Sequence, residues 1–185
     1  MQLVKEFSKL IQREFEMSLM GELNYLLDLQ IKQLNEGSFV YQIKYCKDLL
    51  KIFGMVDAKS IDTPMATYRN LERNENGKDV EVKKYIGMIG SLLYFTASRL
   101  DIMFSVYMCA RYQSSPKESH LKDVKHIFRY LHDTSNYGLW YSKRSDCSLV
   151  GYTNSNFPSY KSDTKSTSGT CHIFSNSLVS WHSKK

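Results

Sequence analysis

Several features of exported and membrane proteins are missing from this chain of 185 residues. No apolar run approaches the roughly 20 residues that a membrane-spanning helix needs. The N-terminal stretch MQLVKEFSKLIQREFE lacks the apolar centre of a signal peptide. We therefore expect an intracellular protein whose four cysteines are reduced thiols. Because these cysteines form no CxxC pair and have no histidine at zinc-finger spacing, a zinc site is not expected.

Acidic residues are scarce in the C-terminal third. Residues 119–185 hold nine Lys or Arg, four Asp and no Glu, whereas residues 1–118 hold 16 basic and 15 acidic residues. The whole chain has a net charge of +6. A basic C-terminal region suits a polyanionic partner such as nucleic acid. A basic surface without a partner explains the charge equally well, and composition leaves both interpretations open.

Periodicity predicts a helix, a hairpin and a second helix in the first third. Apolar residues at helical spacing predict an amphipathic helix over residues 1–16. Residues 23–41 are typical of a β-hairpin, with Gly37 able to take positive φ in its turn. A helix is predicted over residues 42–53, with Gly54 as its C-terminal cap. Its outer face carries a basic stripe, for which a solvated surface is the alternative interpretation: Lys44, Lys47 and Lys51.

Three helices are predicted in the middle of the chain, after a connector over residues 57–79. The first two cover residues 82–97 and 101–112, and both are apolar on several sides, so we expect them to be buried. Asp101 is the predicted N-cap of the second helix and Ser119 that of the third. The histidines of the third helix lie six residues apart, not the three or four that place ligands side by side, so they are expected at the surface: His120, His126 and His132.

The last third is typical of three strands, over residues 149–153, 167–174 and 178–183. Their connections are too short for helical crossovers, so a small antiparallel sheet is expected. No helix follows to cover this sheet, which suggests an incomplete domain with an open face. The predicted fold class is therefore α+β.

Polar residues follow the apolar start of the first of these strands. Asn154 and Asn156 stand at its end. A strand end holds a polar group rigidly, and a carboxylate there would ligate a hard metal ion. Amides at both positions leave two interpretations. Either the site has lost its carboxylates, or the amides only hydrogen-bond within a turn.

Seven motifs, spread over nearly the whole chain, carry a resemblance to a known family. FEMSLMGELNYLLDLQIKQ and FVYQIKYCKDLLKIFGM resemble the end of the reverse-transcriptase domain in the Pol polyprotein of plant copia-type LTR retrotransposons. The region that links polymerase to ribonuclease H in that family resembles YIGMIGSLLYFTASRLDIMFSV, CARYQSSPKESHLKDVKHIFRYLHDT and YGLWYS. The opening strands of its ribonuclease H domain resemble LVGYTNSNFPSYKSDTKSTSG and LVSWHSKK.

The resemblance implies four units. Residues 1–62 would be the end of the polymerase palm and thumb, 63–80 a linker, 81–142 a connection segment and 143–185 a truncated ribonuclease H-like domain. The family's chemistry uses pairs of Mg²⁺ ions held by carboxylates. No YxDD motif of the polymerase occurs in this sequence. We therefore expect a catalytically inactive segment that carries no cofactor of its own.

The resemblance also implies the roles of particular residues. The hairpin with Tyr25, Leu27 and Asp28 is similar to the primer grip, and Asp28 stands where the family has glycine. The stripe of Lys44, Lys47 and Lys51 would belong to a thumb-like helix that contacts a nucleic-acid backbone. In the ribonuclease H-like part, Asn154 occupies the first catalytic position and Asn156 a neighbouring acidic one, and the residues expected near nucleic acid are Lys165, Ser166 and Ser168.

Two kinds of partner follow from this resemblance. An RNA–DNA hybrid or a duplex would bind the basic residues electrostatically. Alternatively, the segment is a non-catalytic interaction domain. It would then use its open sheet face to contact a polypeptide that supplies the missing palm or ribonuclease H parts.

Overall fold

The computed structural model describes residues 2–18, 21–66, 74, 76–143, 147–156 and 166–184. Within these residues the chain forms five α-helices, one short 3-10 helix and two antiparallel sheets, which confirms the α+β class. The helices are α1 (Gln2–Glu14), α2 (Ile43–Ile52), α3 (Val82–Phe95), α4 (Met103–Ala110) and α5 (Glu118–Asp133), with the 3-10 turn at Leu100–Ile102. The strands are β1 (Tyr25–Leu26), β2 (Leu29–Leu34), β3 (Gly37–Tyr41), β4 (Gly138–Ser142), β5 (Leu149–Asn156), β6 (Thr167–Phe174) and β7 (Ser177–Lys184).

The hydrophobic core lies among α2, α3, α4 and α5. Helix α3 buries five side chains, including Ile89 and Leu92, and these pack against α4 and α5. Truncating a fully buried leucine such as Leu92 to alanine costs about 2–5 kcal/mol. Helix α1 buries none of its residues, although its amphipathic pattern predicted a helix there correctly. The core therefore depends on the four later helices.

The first sheet joins the N-terminal hairpin to a strand that follows α5. Its strand order is β1-β2-β3-β4, all antiparallel. Helix α2 shares the core with the later helices, and β3 pairs with β4. The predicted units 1–62 and 81–142 thus pack together, and their boundaries stay a prediction.

The predicted hairpin over residues 23–41 is present, but two details of the prediction were wrong. Its first strand is broken by a turn at Leu27 and Asp28, whose φ angles are 47° and 58°. Side-chain propensity favoured a continuous strand here and missed these left-handed residues. Gly37 lies inside β3 and is not at positive φ. It is needed because a Cβ there would collide with the backbone oxygen of Tyr141 on β4.

The second sheet has the predicted three antiparallel strands, in the order β5-β6-β7. Strand β7 lies beside α4 and β4. The indole Nε1 of Trp181 donates to the Thr96 carbonyl at 3.2 Å, and the Ser142 amide donates to Ser177 Oγ at 3.2 Å. Because of this docking, the sheet is not open at β7. The outer strand β5 is exposed over residues 149–155.

The sequence predicted Asp101 as the N-cap of α4, and this prediction was wrong. It lies in the 3-10 turn, and its carboxylate binds the guanidinium of Arg99 at 2.8 and 2.6 Å. The Arg99 side chain is only 1% exposed and also donates to the carbonyl and hydroxyl oxygens of Thr134, at the end of α5. Partial burial alone would raise the pKa of Asp101, but the bond and charge of Arg99 outweigh it, so that pKa is lowered. Tyr130 completes the network by donating to Asp101 at 2.8 Å.

The start of α5 also differs from the prediction. Lys117, not Ser119, is the N-cap, and its amide donates to His120 Nδ1 at 3.1 Å. His120 is buried and stacks on the Tyr112 ring with centroids 4.0 Å apart, so the expectation of a surface histidine was wrong there. The two later histidines of the helix are half-buried and each lies within hydrogen-bond distance of a backbone carbonyl, His126 of Thr63 and His132 of Val56.

Candidate nucleic-acid interface

The turn between β1 and β2 gathers four of the predicted site residues. The Tyr25 hydroxyl donates to Asp28 Oδ1 at 2.5 Å. The Lys44 ammonium lies over the Tyr25 ring, 5.2 Å from its centroid. Tyr94 of α3 donates to the carbonyl of Leu27 and so ties the turn to the helical core. The primer-grip-like residues and the first lysine of α2 therefore form one exposed cluster, which we call the Tyr25 cluster: Tyr25, Leu27, Asp28 and Lys44.

The cluster contains two opposite charges, the carboxylate of Asp28 and the ammonium of Lys44. The hydrogen bond to Asp28 is the main cause that raises the pKa of Tyr25 above its usual value of 10.0. Asp28 brings a negative charge close to Lys44, and a carboxylate repels phosphate. The backbone amide of Lys44 donates to Gln30 Oε1 at 2.9 Å, which fixes the start of α2 against β2. The cluster is well positioned, but its net charge is small.

The three lysines of α2 lie on one exposed side of the helix, opposite its buried residues Cys46, Leu49 and Leu50. Spacings of three and four residues place Lys44, Lys47 and Lys51 in one stripe. Asp48 was not among the sequence-predicted site residues. It is exposed and lies four residues after Lys44, so it belongs to the same side of the helix. The spacing alone could have revealed it. Asp48 reduces the positive charge of the stripe by one third.

Asn154 and Asn156 lie on β5, in register with residues of β6 that carry no charge. Asn154 pairs with Gly169, and Gly169 pairs with Ser183 of β7. Asn156 pairs with Thr167. Asn154 is exposed. We call the three cross-strand partners Asn154, Gly169 and Ser183 the Asn154 row. Their side chains offer one amide, one hydroxyl and no carboxylate.

The remaining predicted residues of this sheet do not join Asn154. Ser168 pairs with Ser155, the neighbour of Asn154, so it lies on the opposite face of the sheet. Ser166 is exposed just before β6, and Lys165 lies outside the described residues. The structure therefore places Asn154 and Ser168 on different surfaces, and both are on a different sheet from the Tyr25 cluster.

Mg²⁺ fits the Asn154 row poorly. Hard cations prefer charged oxygen ligands, and the row offers none. In the ranges that the structure describes, no group of three or more His, Cys, Asp or Glu side chains is placed to hold a metal ion. Asp146 and Asp163 are the only acidic residues in 143–185, and both lie outside those ranges.

None of the described helices is both long and apolar enough to cross a membrane. No protein-family model matches the chain, and no solved structure matches it.

Three curated proteins with a clear similarity to the chain are Pol polyproteins from plant transposons. The chain is 34% identical over 164 residues, or 89% of its length, to the retrovirus-related Pol polyprotein from transposon RE1 of Arabidopsis thaliana. It is 30% identical over 99% of its length to that from transposon RE2 of the same plant. Identity is also 30%, over 94% of the chain, to that from transposon TNT 1-94 of Nicotiana tabacum. The chain spans only 11%, 13% and 14% of these relatives. Over most of its length, the chain is homologous to the retrovirus-related Pol polyproteins of plant copia-type transposons.

Proposed function

We propose that this chain is the segment of a copia-type Pol polyprotein that joins reverse transcriptase to ribonuclease H. In this proposal it binds an RNA–DNA hybrid without cleaving or copying it. The observation that carries the proposal is the exposed basic side of α2 with Lys44, Lys47 and Lys51, of which Lys44 lies over the Tyr25 ring. Each ammonium group that neutralises a phosphate releases a counterion, so such binding is electrostatic and falls with salt.

Catalysis is not expected from this chain because it lacks the carboxylates that the two-metal chemistry requires. No YxDD motif occurs in the sequence. At the ribonuclease H-like position, the amide of Asn154 keeps the shape of an aspartate but lacks its charge, and neutral oxygen is a poorer ligand for Mg²⁺. The chain should therefore release no fragments from a labelled hybrid in Mg²⁺, and Asn154→Asp alone should not restore cleavage. Mg²⁺-dependent cleavage by the unaltered chain would disprove the inactive assignment.

The binding proposal is tested by fluorescence anisotropy with a labelled RNA–DNA hybrid, titrated at several salt concentrations. Affinity should fall as salt rises between about 50 and 200 mM. The triple variant Lys44→Gln, Lys47→Gln and Lys51→Gln should lower both the affinity and the slope of log affinity against log salt, the slope by about 0.9 for each phosphate that is no longer neutralised. If no binding is detected at low salt, or if binding does not depend on salt, hybrid binding by these lysines is ruled out.

A second candidate function is supported by a different observation, the exposure of β5 along residues 149–155. In the sheet as described, β5 is an outer strand, and it carries the exposed apolar side chains Leu149, Val150 and Tyr152. An exposed edge of this kind invites pairing with a strand of another polypeptide. Light scattering should then show a mass that rises with concentration, and Tyr152→Lys should suppress the rise. A monomer at every concentration would favour the first proposal alone.

A further inference from the structure

A basic cleft lies between α5 and the segment that follows α2. Its volume is about 440 Å³, and it is lined by two apolar and four nitrogen-bearing residues: Met55, Ala66, Lys122, Lys125, His126 and Arg129. Among these described lining residues none is acidic. None of the six was among the sequence-predicted site residues.

The basic residues of the cleft share one side of α5. They stand at positions i, i+3, i+4 and i+7, which places them along a single stripe. The other side of the helix is buried in the core through Val124, Ile127, Phe128 and Leu131. Since α5 is also fixed at its end by the bonds from Arg99 to Thr134, the stripe stands on a rigid support.

Two side chains of the cleft are oriented by bonds to the opposite wall. Arg129 Nε donates to the carbonyl of Lys59 at 2.6 Å, and His126 Nε2 lies 3.0 Å from the carbonyl of Thr63. The bond to Nε holds the guanidinium plane of Arg129 in one orientation, so its terminal nitrogens are presented with little further loss of conformational freedom. Arg129 is therefore a preorganised donor for a planar or tetrahedral oxyanion.

The apolar floor of the cleft is fixed by the end of α2. Gly54 has a φ of 66°, and its amide donates to the Lys51 carbonyl at 3.1 Å. The Met55 amide donates to the Leu50 carbonyl at 2.7 Å, which completes a Schellman motif and confirms the predicted cap at Gly54. This turn places Met55, which is 7% exposed, at the cleft.

The ion pair between Glu118 and Lys122 removes little of the cleft's positive charge. Glu118 approaches Lys122 only at 3.9 Å, between side chains that are both more than half exposed. Such a pair contributes little in water.

We infer that this cleft binds consecutive phosphate groups of a nucleic-acid strand. Identifying the ligand as nucleic acid depends on the proposed function, whereas the preference for phosphate follows from the residues. Seven residues of helix separate Lys122 from Arg129, a rise of about 10.5 Å at 1.5 Å per residue. Successive phosphates of one strand advance about 3.4 Å along the duplex axis but are farther apart along the winding strand, so the stripe spans about two of them. Lys122 and Lys125 contact phosphates as point charges, and Arg129 contacts one through its oriented fork.

The test is isothermal titration of the full chain with inorganic tripolyphosphate at low salt, followed by the same variants with the labelled hybrid. The cleft variant is Lys122→Gln with Lys125→Gln, which keeps good helix formers at exposed positions. The matched control is Lys5→Gln with Lys9→Gln, on the exposed helix α1, with the same change of net charge. We expect the cleft variant to bind tripolyphosphate about tenfold more weakly and the control to change less than about twofold.

Each outcome separates the two proposals. If tripolyphosphate does not bind, or if both variants lose affinity equally, the cleft is overturned and only a general charge effect remains. If tripolyphosphate binding depends on the cleft but the hybrid does not bind, the cleft stands as a phosphate site and the proposed function fails. If the hybrid binds and the cleft variant changes neither titration, the proposed function stands without the cleft.

Discussion

Helices α2 and α5 carry basic stripes with the same spacing, and the comparison shows what spacing alone does not determine. Each stripe occupies positions i, i+3, i+4 and i+7. The α2 stripe contains lysines and Asp48, whereas the α5 stripe contains Lys122, Lys125, Arg129 and, at the position of the acid, His126. The α2 stripe faces outward, while the α5 stripe lines a cleft whose opposite wall orients two of its side chains. A similar pattern in sequence thus gives a solvated face in one helix and a shaped anion site in the other.

The largest expected effect concerns the anchor that makes α5 rigid. Arg99→Ala removes the partner of Asp101 and two donors to Thr134, all from a side chain that is 1% exposed. Because Asp101 keeps partial contact with water, we expect a loss of about 3 kcal/mol, at the lower end for a broken buried pair. Urea unfolding followed by circular dichroism measures this change.

Lys51→Ala on α2 is the control for that change, and it should alter the free energy of unfolding by less than about 0.5 kcal/mol. If both variants unfold at the same urea concentration, the Arg99 network does not anchor α5. The α5 stripe would then be no more rigidly held than the α2 stripe.

The next effect compares the two stripes directly in hybrid binding. Lys122→Gln with Lys125→Gln should weaken binding on the order of tenfold at low salt, and Lys47→Gln with Lys51→Gln on the order of threefold. Both pairs remove two positive charges, but the α2 pair lies beside Asp48 and has no opposite wall. Anisotropy titrations over a salt series measure both changes in affinity. Equal changes would remove the distinction between a cleft and a flat face.

A smaller effect is expected from the acid in the α2 stripe. Asp48→Asn removes a carboxylate that repels phosphate, so hybrid binding should tighten about two- to threefold at low salt. Glu6→Gln, at an exposed position on α1, is the matched control for net charge. If both changes tighten binding alike, Asp48 acts only through the total charge of the chain.

The smallest effect is the titration of Tyr25 beside the α2 stripe. Its pKa is raised mainly by the hydrogen bond to Asp28, so the phenol should ionise above its usual value near 10.0. A raised pKa in the folded state contributes stability that is present at lower pH and lost as pH rises through that value. Asp28→Asn should lower the pKa of Tyr25 towards 10.0, and a pH titration of the phenolate absorbance measures this change. An unchanged titration would show that the Tyr25–Asp28 bond does not persist in solution.

Local patterns predicted most helices and strands, but tertiary contacts decided several details. The three strands after residue 149, the cap at Gly54 and the outward lysines of α2 all follow from periodicity and turn chemistry. Asp101 was assigned to a cap because its residue type favours one, yet Arg99, two residues before it, binds its carboxylate instead. A spacing of six gave no information on the burial of His120, which depends on stacking with Tyr112.

Of the two candidate sites, one could be predicted from local sequence and the other could not. The lysine stripe of α2 could be found from spacing, because an exposed helical face needs no distant partner. The cleft at α5 could not, since Met55 and Ala66 precede Lys122 by more than fifty residues and only the packing of α2 against α5 brings them together.

The chain contains two tryptophans, and the fold places one in each sheet. Trp140 lies on β4 of the first sheet, while Trp181 lies on β7 and is bonded to the Thr96 carbonyl. Each sheet therefore has its own intrinsic fluorophore. With Trp140→Phe, the emission of the remaining indole reports whether the second sheet stays docked on the helical core. With Trp181→Phe, the remaining emission reports on the sheet formed by the hairpin and β4, so the two parts of the molecule can be followed separately without an added label.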